Sequence, residues 1–230
     1  MIADNLVRVH ERIASACARA GRPVQSVTLL VVGKSHGAAT LREAFAAGER
    51  RFGENYVQEA LDKIGQLADL RSRIEWQLIG PLQSNKTRPV AERFDWVHTI
   101  DRVKTAERLS AQRPAHLPPL SVCLQVNISG EASKAGFAPG EVVAAAHALA
   151  ALPRLRLRGL MALPEPLGDF EAQRQPHRAL RLLLEGLRDD GLELDTLSMG
   201  MSADLEAAIA EGSTLVRVGT AIFGARAASR

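Results

Sequence analysis

Cysteine, aromatic residues and long apolar runs are all scarce in this chain of 230 residues. The two cysteines, Cys17 and Cys123, form no CxxC pair and lie in apolar segments, so we expect buried free thiols of a reducing compartment. Aromatics make up only 4% of the residues, which leaves few platforms for stacking nucleic-acid bases. No apolar stretch approaches the ~18 residues of a membrane span, and the N-terminus does not resemble a signal peptide. We therefore expect a cytoplasmic protein that binds neither membranes nor nucleic acid.

Motifs for several common chemistries are also missing. The formal net charge is +3 with both signs spread along the chain, and no run of five like charges suggests a nucleic-acid surface. The six histidines are scattered without metal-ligand spacing, so we expect no metal site. Neither GxSxG nor GxGxxG occurs, which argues against a nucleophile elbow and a dinucleotide fold.

Strand and helix patterns alternate along the chain. An amphipathic helix with apolar residues from Leu6 to Ala20 ends before Gly21, and the apolar run Val27–Val32 then predicts a strand buried on both faces. The eight predicted strands lie at about 27–32, 51–52, 75–79, 96–98, 120–126, 155–160, 194–197 and 214–218. This alternation predicts an α/β fold, a single (β/α)8 TIM-type barrel over residues 1–230 with an extra N-terminal helix. An open doubly wound sheet is the alternative.

Candidate caps mark the starts of several helices. Thr40 with Glu43 forms a capping box, and Asp101 and Ser202 are N-cap candidates after strands four and seven. The helix after strand three should begin near Thr87, because a proline two residues later is tolerated only in a first turn.

Lys34 is the leading candidate for chemistry, because barrel sites lie at the carboxyl ends of the strands. It directly follows the first apolar strand, where partial desolvation would favour a neutral amine suited to Schiff-base formation. The alternative is a lysine whose stem covers the rim while its amine stays in water.

A second cluster follows strands seven and eight. Ser202 would begin a helix whose free N–H groups attract an anion, Gly219 would permit close backbone approach, and Thr220 adds a hydroxyl. These loops are the usual phosphate site of such barrels. An ordinary N-cap serine and a turn glycine would leave the same pattern.

Arg217 lies within strand eight and shares a face with Leu215 by alternation. A buried arginine needs a partner. That partner is either a carboxylate such as Asp204 or Glu206, or an acceptor atom of a ligand.

Six co-linear motifs carry a family resemblance. They are Phe52–Glu59, Ile79–Lys86, Gln125–Ile128, Arg158–Met161, Leu197–Ser202 and Val216–Gly224. On these motifs the chain is identified as a member of the pyridoxal 5′-phosphate (PLP) homeostasis proteins, a family that resembles the barrel domain of alanine racemase and has no established catalytic activity.

The resemblance implies a PLP site and its residues. Lys34 would carry PLP as a Schiff base, Arg217 would face the pyridine nitrogen, and Asn55 would line the cofactor. Ser202, Gly219 and Thr220 would bind the phosphate, Met201 belongs to the same motif, and Lys134 matches a second lysine of the family. Two departures stand out: His36 replaces a basic residue of the usual Val-Ser-Lys-Thr-Lys-Pro segment, and Gln77 stands where the family often has histidine.

Three functions remain open at this point. The chain could be a non-catalytic PLP carrier or reservoir for vitamin B6 and amino-acid balance, a PLP-dependent racemase-like enzyme, or an interaction module for which PLP is a signal. A two-base racemase takes its second base from a tyrosine of a further domain, which we expect this chain to lack; its only tyrosine is Tyr56. We therefore expect a monomeric carrier with no catalytic residue and with apo-PLP enzymes as acceptors.

Overall fold

The computed structural model describes residues 1–131, 134–165 and 167–224, in which eight parallel strands close into a barrel. The strands are β1 Thr28–Val32, β2 Arg51–Glu54, β3 Glu75–Leu78, β4 Trp96–Ile100, β5 Leu120–Gln125, β6 Leu155–Met161, β7 Thr196–Ser198 and β8 Leu215–Val218. Each strand pairs with the next, and β8 closes on β1 with Arg217 beside Leu30. The expected (β/α)8 barrel is confirmed, and the open doubly wound alternative is wrong.

Helices surround the barrel on its outer side. In the described residues they are α1 Ile2–Arg19, α2 Ala38–Ala46, α3 Val57–Gln66, α4 Thr87–Arg93, α5 Val103–Gln112, α6 Val142–Ala150, α7 Phe170–Asp189, α8 Leu205–Ala210 and α9 Thr220–Phe223. The extra N-terminal helix is confirmed as α1, which packs against α2, α8 and α9. The predicted start of α4 at Thr87 is also confirmed.

Three of the predicted helix caps are wrong. Thr40 lies inside α2, which begins two residues earlier at Ala38. The N-cap of α5 is Arg102, so Asp101 lies one residue outside. Ser202 lies in a turn three residues ahead of α8. Capping signals alone do not fix these starts, because tertiary packing decides where the backbone leaves the extended conformation.

Apolar side chains form two layers. The larger layer lies between the strands and the helices, and a smaller one lies inside the barrel. The interior apolar residues are Leu30, Val32, Ile79, Leu215, Trp96, Cys123 and Met161. Cys17 and Cys123 are both buried and free. Among the described helices, none has the length and apolar character needed to span a bilayer.

Candidate functional site

The carboxyl ends of neighbouring strands bring most of the predicted site residues to one side of the barrel mouth. Lys34 follows β1, Asn55 follows β2, and Gly219 and Thr220 follow β8, which pairs with β1. The backbone of Gly219 lies so close to β1 that an added Cβ would be 2.9 Å from the Val32 carbonyl oxygen. The chain therefore places its first and last strands side by side where the candidate lysine leaves the sheet.

A buried cation, Lys63 of α3, holds the loop that carries Lys34 by a hydrogen bond to its backbone. Lys63 on α3 is 4% exposed, and its ammonium donates to the Gly33 carbonyl at 2.7 Å. It also donates to Glu54 Oε1 at 2.8 Å and to Glu59 Oε1 at 2.6 Å. Glu59 in turn accepts the backbone N–H of Ser35 at 2.7 Å. Residues on both sides of Lys34 are thus tied to one ionic cluster.

The same cluster explains two local features of this loop. Ser35 has a φ of 65°, a left-handed conformation that a serine adopts only when its surroundings impose it. An added Cβ on Gly33 would lie 2.6 Å from Glu54 Oε1, so glycine at this position lets the carboxylate approach. Burial raises the pKa of Glu54 to about 7, while Lys63 opposes the rise.

Asn55 has an unsatisfied side chain at the mouth. Its Oδ1 atom is buried and has no hydrogen-bond partner among the described residues. Its backbone is fixed by close packing on Gly80, where an added Cβ would lie 1.9 Å from the Asn55 carbonyl oxygen. A buried acceptor without a donor is costly, so Asn55 Oδ1 is positioned to accept from a bound molecule.

The loops after β7 and β8 present Met201, Ser202, Gly219 and Thr220. The Met201 N–H donates to Asp204 Oδ1 at 2.7 Å, and this hydrogen bond stabilises the turn that contains Ser202. Met201 is 36% exposed, Ser202 is half-buried, and Thr220 is exposed at the first position of α9. The structure therefore leaves these groups accessible from the barrel mouth.

The N-terminal helix α1 braces the same two loops. Asn5 donates from Nδ2 to the Ile222 carbonyl at 2.6 Å. Arg12 pairs with Glu206 of α8 through two hydrogen bonds of 2.5 and 2.6 Å. The positions of α8 and α9 are thus set by residues about two hundred positions away in the chain.

Arg217 is 3% exposed and, as alternation predicted, shares a face of β8 with Leu215, and this face points into the barrel. Its guanidinium donates to Ser198 O and Ser198 Oγ at 2.6 Å and to Ala162 O at 2.9 Å. The expected alternative of a carboxylate partner is wrong, because Glu206 binds Arg12, and Asp204 binds His177 and the Met201 N–H. Burial lowers the pKa of Arg217 to about 10, so it remains a cation at neutral pH.

A chain of hydrogen bonds runs from Arg217 through the barrel interior. Ser198 Oγ lies 2.8 Å from His98 Nδ1, and His98 Nε2 lies 2.7 Å from Gln77 Oε1. Gln77 Nε2 then donates to Glu75 at the opposite end of the barrel. Because a carboxylate only accepts, every direction is fixed: His98 carries its proton on Nε2 and accepts from the Ser198 hydroxyl. Burial and the charge of Arg217 lower the pKa of His98 to about 3, so the imidazole stays neutral.

Three further residues that were named in the sequence analysis lie in loops around the barrel mouth. Lys134 is half-buried and forms an ion pair with Glu131. The ring of His36 packs 4.6 Å from that of Phe223, centroid to centroid, and burial lowers the pKa of His36. Tyr56 is 61% exposed at the N-cap of α3. Within the residues described, no three His, Cys, Asp or Glu side chains are grouped to hold a metal.

Sequence reasoning missed the Lys63 cluster and the His98 chain. The spacing of Glu59 and Lys63, four residues apart on α3, was the available signal for an ion pair. It did not reveal that Glu54 completes the cluster, since that residue comes from the preceding strand.

Known proteins resemble this chain in sequence and in fold. Residues 5–227 match the family model of the alanine racemase N-terminal domain. A protein of Pseudomonas aeruginosa named pyridoxal phosphate homeostasis protein is 61% identical over 225 residues, which cover 98% of this chain and 96% of the relative. The solved structure of PipY from Synechococcus elongatus with PLP bound is 38% identical, with a TM-score of 0.84, and covers 97% of this chain and 100% of that one.

A more distant solved structure shares the fold alone. An alanine racemase of Clostridium difficile is 13% identical with a TM-score of 0.73, and the match covers 96% of this chain and 57% of the racemase.

Proposed function

The chain belongs to the family of pyridoxal phosphate homeostasis proteins, and we propose that it binds PLP covalently through Lys34 and acts as a carrier or reservoir of this cofactor. The observation that supports this best is the meeting of Lys34, Asn55, Gly219 and Thr220 at the β8–β1–β2 edge of the mouth. The PLP named in the solved relative PipY supports the same ligand.

The residues present fit such a ligand. The orphaned Asn55 Oδ1 needs a donor, and Gly219 lets the backbone after β8 lie directly against β1, the strand that precedes Lys34. The proposed cofactor residues include the cations Lys34 and Arg217 and no carboxylate, which suits a phosphorylated anion, while Lys134 is paired with Glu131.

Each residue then has a role in binding. Lys34 supplies the amine for the Schiff base, and Ser202, Gly219 and Thr220 hold the phosphate with Met201 beside them. Arg217 faces the pyridine nitrogen, and Lys134 is a second amine near the mouth that assists release. PLP supplies an electrophilic aldehyde and, in enzymes, an electron sink.

We propose that the chain does not catalyse amino-acid turnover. Arg217 is a cation that can only donate a hydrogen bond, so a ring nitrogen against it stays unprotonated and is a weak electron sink. The tyrosine available as a second base, Tyr56, is largely exposed and is not held by the barrel. The names of the curated relatives, which describe homeostasis rather than a reaction, support this interpretation.

Borohydride reduction of the PLP-loaded protein, followed by peptide mass analysis, tests the covalent site. We expect the pyridoxyl group on the Lys34 peptide, its loss in Lys34→Ala, and no change in the control Lys86→Ala, which alters a half-buried lysine after β3. Modification found only on Lys86 or Lys134 would show that the assignment is wrong.

Two further measurements separate a carrier from an enzyme. Mixing the loaded protein with an apo-PLP enzyme, beside a free-PLP control, should restore activity of the acceptor. Incubation with L-alanine in deuterated water should give no multiple-turnover α-proton exchange. Racemisation that disappears in Tyr56→Phe would replace the carrier function with an enzymatic one.

We also propose that residues 1–230 act as one monomeric domain in the cytoplasm. The buried free thiols of Cys17 and Cys123 support a reducing compartment. Light scattering coupled to size exclusion tests the monomer.

A further inference from the structure

The amino-terminal end of the barrel, opposite the proposed PLP site, contains a cleft of about 640 Å³. It is lined by the starts of β2 to β6 and the loops that precede them. In the described residues the lining includes seven arginines, two carboxylates and no lysine. We call it the arginine cleft.

Both carboxylates of the arginine cleft are already engaged. Asp95 accepts two hydrogen bonds from Arg71, at 3.0 and 3.1 Å, and one from the backbone N–H of Trp76 at 2.8 Å. Glu75 lies 3.6 Å from Arg51 and accepts from Gln77. Neither carboxylate is left to neutralise the remaining arginines.

Four arginines of the cleft, Arg50, Arg73, Arg113 and Arg156, pair with no carboxylate among the described residues. Arg113 is 3% exposed and donates only to backbone carbonyls, of which those of Ala91 and Phe94 lie at 2.7 Å. It is therefore a buried cation without a salt-bridge partner among the described residues, and burial lowers its pKa while the nearby charge of Asp95 opposes that shift.

The other three guanidiniums are more accessible. Those of Arg50 and Arg73 lie 4.0 and 4.8 Å from the centre of the Phe45 ring, and Arg50 also donates to the backbone carbonyls of Phe45 and Glu49. Arg156 is exposed and makes no hydrogen bond within the described part of the chain. Like charges gathered in a concave, partly desolvated wall repel one another and concentrate a positive field.

We propose that the arginine cleft is a second ligand site, which binds a small organic phosphate or polyphosphate carrying at least two charged groups. Guanidinium groups match phosphate oxygens through paired hydrogen bonds, which ammonium groups cannot do. The volume lies within the ~300–1,000 Å³ of ordinary small-molecule sites. Trp96 and the prolines Pro118 and Pro119 add an apolar wall for the rest of such a ligand.

The spread of the unpaired arginines indicates more than one anionic group. They come from the loops before β2, β3 and β5 and from β6 itself, so four separate segments contribute them to the cleft. A linear polyphosphate or a phosphorylated metabolite with two charged groups can contact more of these segments than a single phosphate can.

Isothermal titration calorimetry with sodium tripolyphosphate, at constant ionic strength and on PLP-loaded protein freed of excess PLP, tests the site. We expect one binding event per chain and a change in intrinsic tryptophan fluorescence, because Trp96 is one of the residues that line the cleft. The double variant Arg73→Gln/Arg156→Gln removes two exposed side chains and should weaken binding about a hundredfold, roughly tenfold for each lost charge-assisted contact.

Two control variants separate this site from general charge effects and from the proposed PLP site. Arg108→Gln removes an exposed arginine of α5 outside the cleft, and Thr220→Val alters the PLP side of the barrel. Both should bind tripolyphosphate as the parent protein does. Equal weakening in Arg108→Gln, loss of binding in Thr220→Val, or full binding by the double variant with native circular dichroism would each overturn the proposal.

Discussion

Replacing Lys63 by methionine removes the cation under the Lys34 loop while keeping most of the side-chain length. Glu54 is fully buried, and Lys63 is the cation that hydrogen-bonds to it. Removing one partner of a buried ion pair typically costs about 3–5 kcal/mol, because the other charge is left in a medium of low polarity. We expect Lys63→Met to lose this much free energy of unfolding at pH 8, measured by urea denaturation.

The loss should depend on pH in a defined direction. Burial already raises the pKa of Glu54 from 4.5 to about 7, and without Lys63 the pKa rises further. A carboxyl whose pKa is higher in the folded than in the unfolded state stabilises the fold at low pH, and this contribution is lost as the pH rises through the folded-state pKa. The stability difference between Lys63→Met and the parent protein should therefore be smaller at pH 6 than at pH 8.

A double variant separates two roles of Lys63: stabilising the fold through the buried ion pair, and positioning the loop that carries Lys34. Glu54→Leu/Lys63→Met removes both buried charges and should recover most of the stability, since apolar replacements of buried pairs are often neutral. The Gly33 carbonyl still lacks its donor, so PLP affinity should stay reduced in both variants. The exposed control Lys104→Met should change stability by less than about 0.5 kcal/mol. A loss below about 1 kcal/mol in the single variant at pH 8, or no recovery in the double, would refute the reasoning.

Three further predictions concern the mouth and the barrel interior. Thr220→Val should weaken PLP binding about tenfold by removing one charge-assisted hydrogen bond, and unchanged affinity in an absorbance titration would contradict that contact. Gly80→Ala should lose about 1–3 kcal/mol of unfolding free energy and weaken PLP binding, because its Cβ would sit 1.9 Å from the Asn55 carbonyl oxygen; unchanged thermal melting would contradict this. The imidazole of His98, whose pKa burial lowers to about 3, should remain the neutral Nε2–H tautomer from pH 8 to pH 5 in nitrogen NMR spectra; a midpoint near 6.5 would contradict the hydrogen-bond chain.

The barrel could be predicted because its strands are continuous apolar runs buried on both faces. The strand predicted at Val27–Val32 followed from this pattern and is observed at Thr28–Val32. Alternation separately placed Arg217 on the same face as Leu215, which lies inside the barrel. Helix starts such as those near Thr40 and Ser202 could not be predicted, since they depend on how each loop packs. Ser202 illustrates the reason: Asp204 binds the N–H of Met201 and delays the helix.

The partners of buried charged groups could not be predicted from the sequence either. Arg217 was expected to be buried with a carboxylate or a ligand as its partner, but its acceptors are Ser198 of β7 and the carbonyl of Ala162, which follows β6, and no spacing rule connects them. The arginine cleft could not be predicted for the same reason. Its residues are scattered between Arg50 and Arg158, and in the sequence each resembles a solvated surface charge. Only closure of the barrel brings them to one end of the fold.

Closure of β8 on β1 has a consequence for the order of assembly during synthesis. Lys34 leaves the ribosome well before Gly219 and Thr220, and α1 can dock on α8 and α9 only after those two helices have been synthesised. A nascent chain can expose the reactive amine long before it can retain a phosphate. Bound PLP would then link β1 to β8, because it contacts residues that follow both strands. Bound PLP should slow amide hydrogen exchange most in β1 and β8, because a ligand held by both strands opposes their separation.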